Sequence, residues 1–141
     1  MVAGAPPDGF NRYGQYWGNP VYAWGEHRRT RFAWWTQRLA VFRTRFDIIR
    51  FDHFRGLVST WHIPAKDSDG RRGRWVASPG AALLRRWKKV FGRLPIVAED
   101  LGHHTKNVTT LRCTFHIDAV RVLIFGWNGL PDNFHQPDYL A

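Results

Sequence analysis

The sequence predicts an α/β fold with a parallel sheet, and three observations lead to this prediction. Predicted helices and strands alternate along the chain, as they do in βα units. The predicted strands are apolar on both faces, which suits strands covered by helices on either side. They end in Arg-Phe-Asp-His, Ala-Glu-Asp and Phe-Gly-Trp, and α/β barrels carry their active sites at the carboxyl ends of parallel strands. A doubly wound sheet has the same alternation, but no glycine-rich phosphate loop follows any predicted strand, so a barrel is favoured.

Residues 1–30 are predicted to form an ordered loop rather than a helix or a strand. Glycine, proline, asparagine and aspartate crowd the segment GAPPDGFNRYGQYWGNPVYAW, and these residue types favour turns. The same segment holds several aromatic rings. Because loops often carry the binding groups of a rigid scaffold, we expect this segment to contribute aromatic side chains to a site.

Each of three predicted helices is followed by a predicted strand. The helices are assigned from apolar residues at three- and four-residue spacing, and the strands from short β-branched and aromatic runs. In chain order, the helix–strand pairs are residues 31–45 with 46–52, 78–90 with 94–100, and 107–115 with 120–126. The chain is long enough for one domain and short for two, so we treat it as one unit.

The strong positive charge raises nucleic-acid binding as a hypothesis. Lysine and arginine number 21 against 11 aspartates and glutamates, which gives a formal net charge of +10 and is typical of chains that contact phosphates. The basic residues, however, lie in short scattered clusters, and no helix-turn-helix, zinc-finger or RNA-binding sheet motif is present to give them a docking geometry. We therefore predict no nucleic-acid partner and interpret the charge as a solvated surface.

Cysteine use and hydropathy bear on the compartment. A single cysteine, Cys113, rules out an internal disulfide framework and fits a reducing compartment. The amino terminus lacks the pattern of a secretory signal, and no apolar run approaches the ~20 residues of a membrane helix. His103 and His104 lack a third ligand at a suitable spacing. We predict a cytoplasmic protein with no membrane partner and no metal, and leave the oligomeric state open.

Two carboxylates close successive predicted strands: Asp52 the first and Glu99 the second. At neighbouring strand ends they would face each other across the mouth of a barrel. A retaining glycosidic mechanism needs such a pair about 5–5.5 Å apart, one carboxylate as nucleophile and the other as acid and base. Arg50 lies two residues before Asp52, on the same strand face, where its cation would orient Asp52 and favour the charged form. His53 follows directly and could donate a hydrogen bond to a sugar hydroxyl.

A structural ion pair between Arg50 and Asp52 is the alternative to a catalytic role. Glu99, at the equivalent place on the next strand, favours the catalytic interpretation. Asp100 points the other way from Glu99 on an extended strand. We therefore expect Asp100 to support the substrate site by hydrogen bonding rather than to act as the acid/base.

Five segments resemble the amylomaltase (disproportionating enzyme) family of 4-α-glucanotransferases in order and approximate spacing. FDHFRG and VAEDLG, separated by GRWVASPG, are the most specific of them. The similarity runs from Val2 to about Asp138, and the family's complete domain is several times longer, so the chain resembles its central part. The segments are GAPPDGF with GQYWGNPVYAW, IIRFDHFRGLVSTWHIPA, GRWVASPGAAL, LPIVAEDLG and VRVLIFGW.

The resemblance implies a fold and an activity. The fold is a partial (β/α)8 TIM barrel of about three βα units, with residues 1–141 as a fragment of the catalytic barrel. Residues 1–30 would be an aromatic loop that covers the substrate, and residues 31–141 the βα units. The activity is retaining transfer of α-1,4-glucan segments to a sugar 4-hydroxyl through a covalent glucosyl-aspartate. The partners would be maltodextrins and maltooligosaccharides, with no metal or organic cofactor.

The resemblance also implies roles for particular residues. Asp52 corresponds to the family's nucleophile and Glu99 to its general acid/base. Arg50 and His53 correspond to residues that line the central sugar subsite. Trp17 corresponds to an aromatic residue of the loop that covers the donor glucan.

The chain departs from the family pattern at two places that matter for activity. Gly9 stands before Phe10 where the family has a bulky aromatic residue. Phe10 is therefore the aromatic substrate-binding candidate left in this part of the segment, and Asp100 is a further candidate elsewhere in the chain. The family's THDN motif, with its third carboxylate, is absent. The alternative function is therefore a truncated, non-catalytic remnant that at most binds glucan. Three strands with two open edges are expected to fold weakly alone and to show little activity.

Overall fold

The computed structural model describes residues 1–9, 11–101, 105–127, 129, 135 and 136. The strands in these residues are β1 (Val2–Ala5), β2 (Gln15–Pro20), β3 (Ile49–Phe51), β4 (Ser59–Ile63), β5 (Arg74–Ala77), β6 (Ile96–Ala98) and β7 (Asp118–Ala119). The α-helices are α1 (Trp24–Arg29), α2 (Ala33–Arg43), α3 (Gly80–Phe91) and α4 (Lys106–Thr114), and short 3-10 helices span Phe54–Leu57 and Leu123–Gly126. The strands form two sheets: an antiparallel sheet in the order β2-β1-β4-β5 and a parallel sheet in the order β3-β6-β7.

The parallel sheet confirms the predicted alternation of helices and strands. Helix α2 precedes β3, α3 precedes β6 and α4 precedes β7. Strand β6 lies in the middle, with Val97 opposite Arg50 on one side and opposite Asp118 on the other. The chain is therefore of the mixed α/β class, and β3 and β6 are each shorter than the predicted strand that contains them.

The prediction of a loop over residues 1–30 is wrong, because β1, β2 and α1 all lie in this segment. Strand β1 pairs with β2 on one side and with β4 on the other. Glycines permit this close packing: a Cβ at Gly4 would collide with the Gln15 carbonyl and the Ile63 side chain. Gly4 thus serves as a strand residue that lets neighbouring backbones approach, rather than as a turn former.

The predicted strand over residues 120–126 is also wrong. The strand is Asp118–Ala119, and Leu123–Gly126 forms a 3-10 helix. Val120 still donates its N–H to the Ala98 carbonyl at 2.8 Å. Because β6 ends at Ala98, residues after Val120 have no neighbouring strand residue on β6 with which to pair. Apolar composition alone therefore did not locate this strand.

The hydrophobic core lies between the parallel sheet and its helices. Helix α3 buries one apolar face, and Leu83 and Leu84 are completely inaccessible to solvent. Phe54, the first residue of the 3-10 helix that follows β3, is equally buried, and Trp35 and Leu39 of α2 join the same cluster. The core thus packs under the strand ends that carry the predicted catalytic residues. No helix in the described part of the chain has the length and apolar character needed to cross a membrane.

Truncating Leu84 to alanine is expected to lower the free energy of unfolding by about 2–5 kcal/mol, because it leaves a cavity in this core. Val90→Ala on the same helix is the matched control, since Val90 is 43% exposed and its truncation should cost about 0.5 kcal/mol or less. Urea denaturation followed by circular dichroism measures both variants. Equal losses for the two would contradict the packing described here.

Candidate active site

Asp52 and Glu99 lie at the same edge of the parallel sheet. Strands β3 and β6 run in the same direction, so their carboxyl ends meet, and Asp52 and Glu99 directly follow these strands. Backbone hydrogen bonds then continue past the strand ends: the N–H of Glu99 donates to the Phe51 carbonyl at 2.9 Å, and the N–H of Phe54 donates to the Glu99 carbonyl at 2.8 Å. The two connections are therefore held against each other where they carry the carboxylates.

Backbone N–H groups hold both oxygens of the Glu99 carboxylate. Oε2 accepts a hydrogen bond from the N–H of His53 at 2.9 Å, and Oε1 accepts one from the N–H of Leu101 at 3.1 Å. Hydrogen bonds to a carboxylate are stronger than those between neutral groups. The Glu99 side chain is therefore fixed in one orientation by two backbone segments, the one after β3 and the one after β6.

Arg50 and Asp52 form an ion pair, with Arg50 Nη1 2.6 Å from Asp52 Oδ1. The alternation of side chains along β3 predicts this contact, because residues two apart share a face. The side chains are 54% and 74% exposed, so the pair contributes little to stability. Its effect is to orient the Asp52 carboxylate at the open end of the strand.

His53 connects the carboxylates to the antiparallel sheet. Its ring meets the ring of Trp17, on β2, edge-on with centroids 5.1 Å apart. Burial lowers the pKa of His53 from its ordinary value of 6.5, Glu99 and Asp52 act in the opposite direction, and Arg55 adds to the lowering. The imidazole is thus neutral at pH 7, with one nitrogen able to donate and the other to accept a hydrogen bond.

We expect the imidazole of His53 to titrate below pH 6.5, its ordinary pKa. Because the unfolded chain binds the proton more readily than the folded chain, stability is full above about pH 6.5 and is lost as the pH falls toward the lowered folded-state pKa. NMR titration of the His53 ring measures the midpoint, and the same ring in the urea-unfolded chain serves as the reference. A folded midpoint at or above the unfolded one would contradict the described burial.

A cleft of about 1090 Å³ opens between the antiparallel sheet, α2 and the ends of the parallel strands. Five of the predicted site residues line it together: Trp17, Arg50, Asp52, His53 and Glu99. Sequence reasoning missed several other lining residues. Among them are Gly56, Thr60, Tyr22, Trp24 and Arg38.

The missed residues differ in the signal they left in the sequence. Tyr22 and Trp24 lie in the aromatic segment expected to supply a site, and their rings pack 5.2 Å apart. Thr60 left no signal, because its place on the cleft depends on β4 folding back beside β1. Its hydroxyl lies 2.8 Å from Nε2 of His62, which holds it in position.

Two predicted site residues do not line this cleft. Phe10 lies outside the described residues. Asp100 is buried, with Oδ2 3.2 Å from Nε of Arg112 and Oδ1 4.0 Å from Nη1 of Arg121. Arg112 also donates to the carbonyl of Ile117 at 3.0 Å, so it ties the end of β6 to the start of β7.

The described residues contain no group of three or more His, Cys, Asp or Glu side chains placed to hold a metal ion. His103 and His104 lie outside the described residues. Within the described part of the chain, the groups that line the cleft include two carboxylates, two arginines, a neutral imidazole and several aromatic rings.

Comparison with known proteins gives consistent matches over 90% or more of the chain. A family model described as 4-alpha-glucanotransferase (glycoside hydrolase family 77) matches residues 1–141. A 4-alpha-glucanotransferase of Aquifex aeolicus is 44% identical over 127 residues, which cover 90% of this chain and 26% of the relative. A 4-alpha-glucanotransferase of Thermus thermophilus is 42% identical over 142 residues, which cover 100% of this chain and 28% of the relative. The chain thus spans about a quarter of the length of these relatives.

Solved structures give the same result. The amylomaltase of Streptococcus agalactiae in complex with acarbose superposes with a TM-score of 0.91 at 32% identity, over 97% of this chain and 28% of that one. The amylomaltase of Corynebacterium glutamicum superposes with a TM-score of 0.78 at 23% identity, over 94% of this chain and 19% of that one. The second likeness bears on the fold alone.

Proposed function

The chain belongs to the 4-alpha-glucanotransferase family, and from this premise we propose that it carries the nucleophile and the acid/base of a retaining α-1,4-glucan transferase. The observation that supports this most is the arrangement of Asp52 and Glu99. They follow adjacent parallel strands, are linked through the N–H of His53, and open on a cleft walled by aromatic rings.

The proposed reaction has two steps. In the first, a carboxylate oxygen of Asp52 attacks the anomeric carbon, the glycosidic bond breaks, and Glu99 gives its proton to the leaving sugar oxygen. In the second, Glu99 removes a proton from the 4-hydroxyl of an acceptor glucan, that oxygen attacks the anomeric carbon, and the ester to Asp52 breaks. One α-1,4 bond is broken and one is formed, so configuration is retained and no oxidant, metal or cofactor is consumed.

Arg50 and His53 fit supporting roles in these steps. The Arg50 guanidinium, with Nη1 2.6 Å from Asp52 Oδ1, holds the attacking carboxylate in position at the cleft. The neutral His53 ring lines the cleft and offers a hydrogen bond to a sugar hydroxyl. Asp100, paired with Arg112 away from the cleft, fits a role in holding the end of β6.

The aromatic rings support glucan as the substrate class and transfer as the outcome. Trp17, Tyr22 and Trp24 line the cleft, and flat rings stack on the apolar faces of sugars. Excluding water from the glucosyl intermediate favours an acceptor sugar over hydrolysis. The Streptococcus agalactiae amylomaltase was solved in complex with acarbose, which supports glucan as the ligand class. We propose maltodextrins and maltooligosaccharides as donors and acceptors, and a cytoplasmic location stays a prediction.

We further propose that β3, β6 and β7 are consecutive strands of a (β/α)8 barrel and that residues 1–141 form part of its catalytic domain. The parallel pairing of these strands, each preceded by a helix, supports this assignment. Residues 1–30 would cover the substrate as a strand-and-helix segment. Because the chain spans only 28% of the Thermus thermophilus relative, full activity is proposed for a barrel with all its strands.

The proposal is tested by incubating protein with maltotriose and following glucose together with longer maltodextrins. Two forms are assayed: the purified 141-residue chain, and an exchange enzyme in which this chain replaces the aligned 142-residue segment of the Thermus thermophilus relative. We expect the exchange enzyme to produce the ladder of longer products. A folded exchange enzyme that yields no ladder would overturn the proposal, and glucan binding without products would favour the non-catalytic alternative.

A further inference from the structure

A single peptide unit links the two carboxylates. The peptide between Asp52 and His53 carries the N–H that donates to Glu99 Oε2 at 2.9 Å, so this hydrogen bond joins the residue directly after one carboxylate to the side chain of the other. The distance between the two functional groups therefore depends on how this peptide is turned.

The peptide takes its direction from an unusual backbone conformation at His53. The residue lies in the left-handed region, with φ 48° and ψ 52°, which residues with a Cβ seldom adopt. Non-glycine residues in such conformations occur at functional sites, where the surrounding structure holds them. The conformation turns the chain sharply from β3 into the 3-10 helix Phe54–Leu57.

Contacts on several sides hold His53 in this conformation. Its carbonyl accepts the N–H of Gly56 at 2.8 Å, and a Cβ at Gly56 would lie only 3.3 Å from its ring. The ring also rests against Trp17. The next residue, Phe54, is completely buried and donates its N–H to the Glu99 carbonyl. The turn is thus anchored in the core and in the antiparallel sheet.

We propose that His53 is a positioning residue for the acid/base: its left-handed backbone aims the N–H of the Asp52–His53 peptide at Glu99 and thereby sets the spacing of the carboxylate pair. This role rests on the proposed function and is separate from any contact between the imidazole and a sugar. A few tenths of an ångström matter here, because retaining carboxylate pairs keep a separation of about 5–5.5 Å.

The backbone role and the ring role are separated by substituting His53 with residues that all lack the ring. Glycine adopts the left-handed conformation without steric cost, alanine adopts it with difficulty, and valine, branched at Cβ, adopts it least readily. If only the ring matters, His53→Gly, His53→Ala and His53→Val lower transfer equally. If the backbone positions Glu99, transfer decreases in the order glycine, alanine, valine.

The test measures kcat and its pH profile for transfer from maltotriose in the exchange enzyme. We expect His53→Val to transfer about tenfold more slowly than His53→Gly, with the limb of the pH profile that reports the acid/base displaced in the valine variant and not in the glycine variant. Equal rates and equal profiles for the three variants would overturn the proposal. Thermal melting shows whether the variants fold, and where valine does not fold, the comparison of glycine with alanine decides.

His116 is the matched control, since it also adopts a left-handed conformation, with φ 54°, in the turn after α4 and away from the cleft. His116→Gly and His116→Val should differ in melting temperature and not in transfer rate or pH profile. A loss of transfer in His116→Val as large as that in His53→Val would mean that left-handed strain acts only through general stability, which contradicts the proposal.

A second measurement tests the hydrogen bond between His53 and Glu99 directly and does not depend on enzyme activity. In NMR spectra of the full chain, the amide proton of His53 should exchange slowly with solvent because it is hydrogen-bonded to Glu99 Oε2, and Glu99→Ala should speed this exchange and move the resonance. A His53 amide resonance that is unchanged in the Glu99 variant would overturn the proposed link. An inactive exchange enzyme with an intact link would instead overturn the proposed function alone, so the two failures are distinguishable.

Discussion

Replacing Asp52 with asparagine is expected to lower glucan transfer by roughly 10³-fold or more, as removal of a nucleophile does in other enzymes. The amide keeps the shape of the side chain but cannot form the glucosyl ester. The carboxylate stands at the open end of β3, oriented by Arg50, so the loss should be chemical and the fold should persist. Glucose and maltodextrin release from maltotriose by the exchange enzyme measures the effect.

Asp69→Asn is the matched control for this change. Asp69 is paired with Arg71 on the surface and does not line the cleft, so the same loss of a carboxylate should leave transfer unchanged. Retained transfer in Asp52→Asn, with the purified variant folded, would show that another residue is the nucleophile and would return Asp52 to the structural role of an ion-pair partner.

Replacing Glu99 with glutamine is expected to slow transfer by roughly 10²–10⁴-fold, the range typical of general acid–base catalysis. Two losses combine. The amide cannot deliver or remove the proton, and its NH2 group cannot accept the backbone hydrogen bond that Glu99 receives from either His53 or Leu101. The side chain should therefore turn out of its present position as well as lose its chemistry.

A donor with a better leaving group distinguishes the acid role of Glu99 from the nucleophile role of Asp52. A maltosyl donor that releases nitrophenolate needs no proton from the enzyme, so Glu99→Gln should release nitrophenolate at close to the unsubstituted rate in the first turnover. Asp52→Asn should not recover with this donor. Glu26→Gln, which changes an exposed carboxylate paired with Arg29, is the control for the substitution itself. A Glu99 variant as slow with the activated donor as with maltotriose would contradict the acid role.

Several parts of the fold and site were open to prediction because they depend on residues close together in the chain. The order of helices and parallel strands follows from apolar spacing, which records how each element is buried. The Arg50–Asp52 pair follows from the alternation of side chains along one strand. The placement of Asp52 and Glu99 at one sheet edge follows from the parallel order, because carboxyl ends of parallel strands meet.

Other parts could not be predicted from local pattern. Strand β2 is exposed along its whole length, so it carries no burial pattern, and its pairing depends on glycines that let distant backbones approach. The end of β7 depends on where its neighbour β6 ends. Thr60 reaches the cleft only because β4 pairs with β1.

Side-chain type and spacing were therefore enough to predict the family, the mixed α/β class and the pair of carboxylates at adjacent strand ends. How those carboxylates are held depends on contacts that form only in the folded chain. Glu99 is oriented by the backbone N–H groups of His53 and Leu101, and His53 reaches it through a left-handed turn braced against Trp17. Every residue except proline has a backbone N–H, so its use leaves no mark on the sequence, and its direction is set by contacts between segments far apart in the chain.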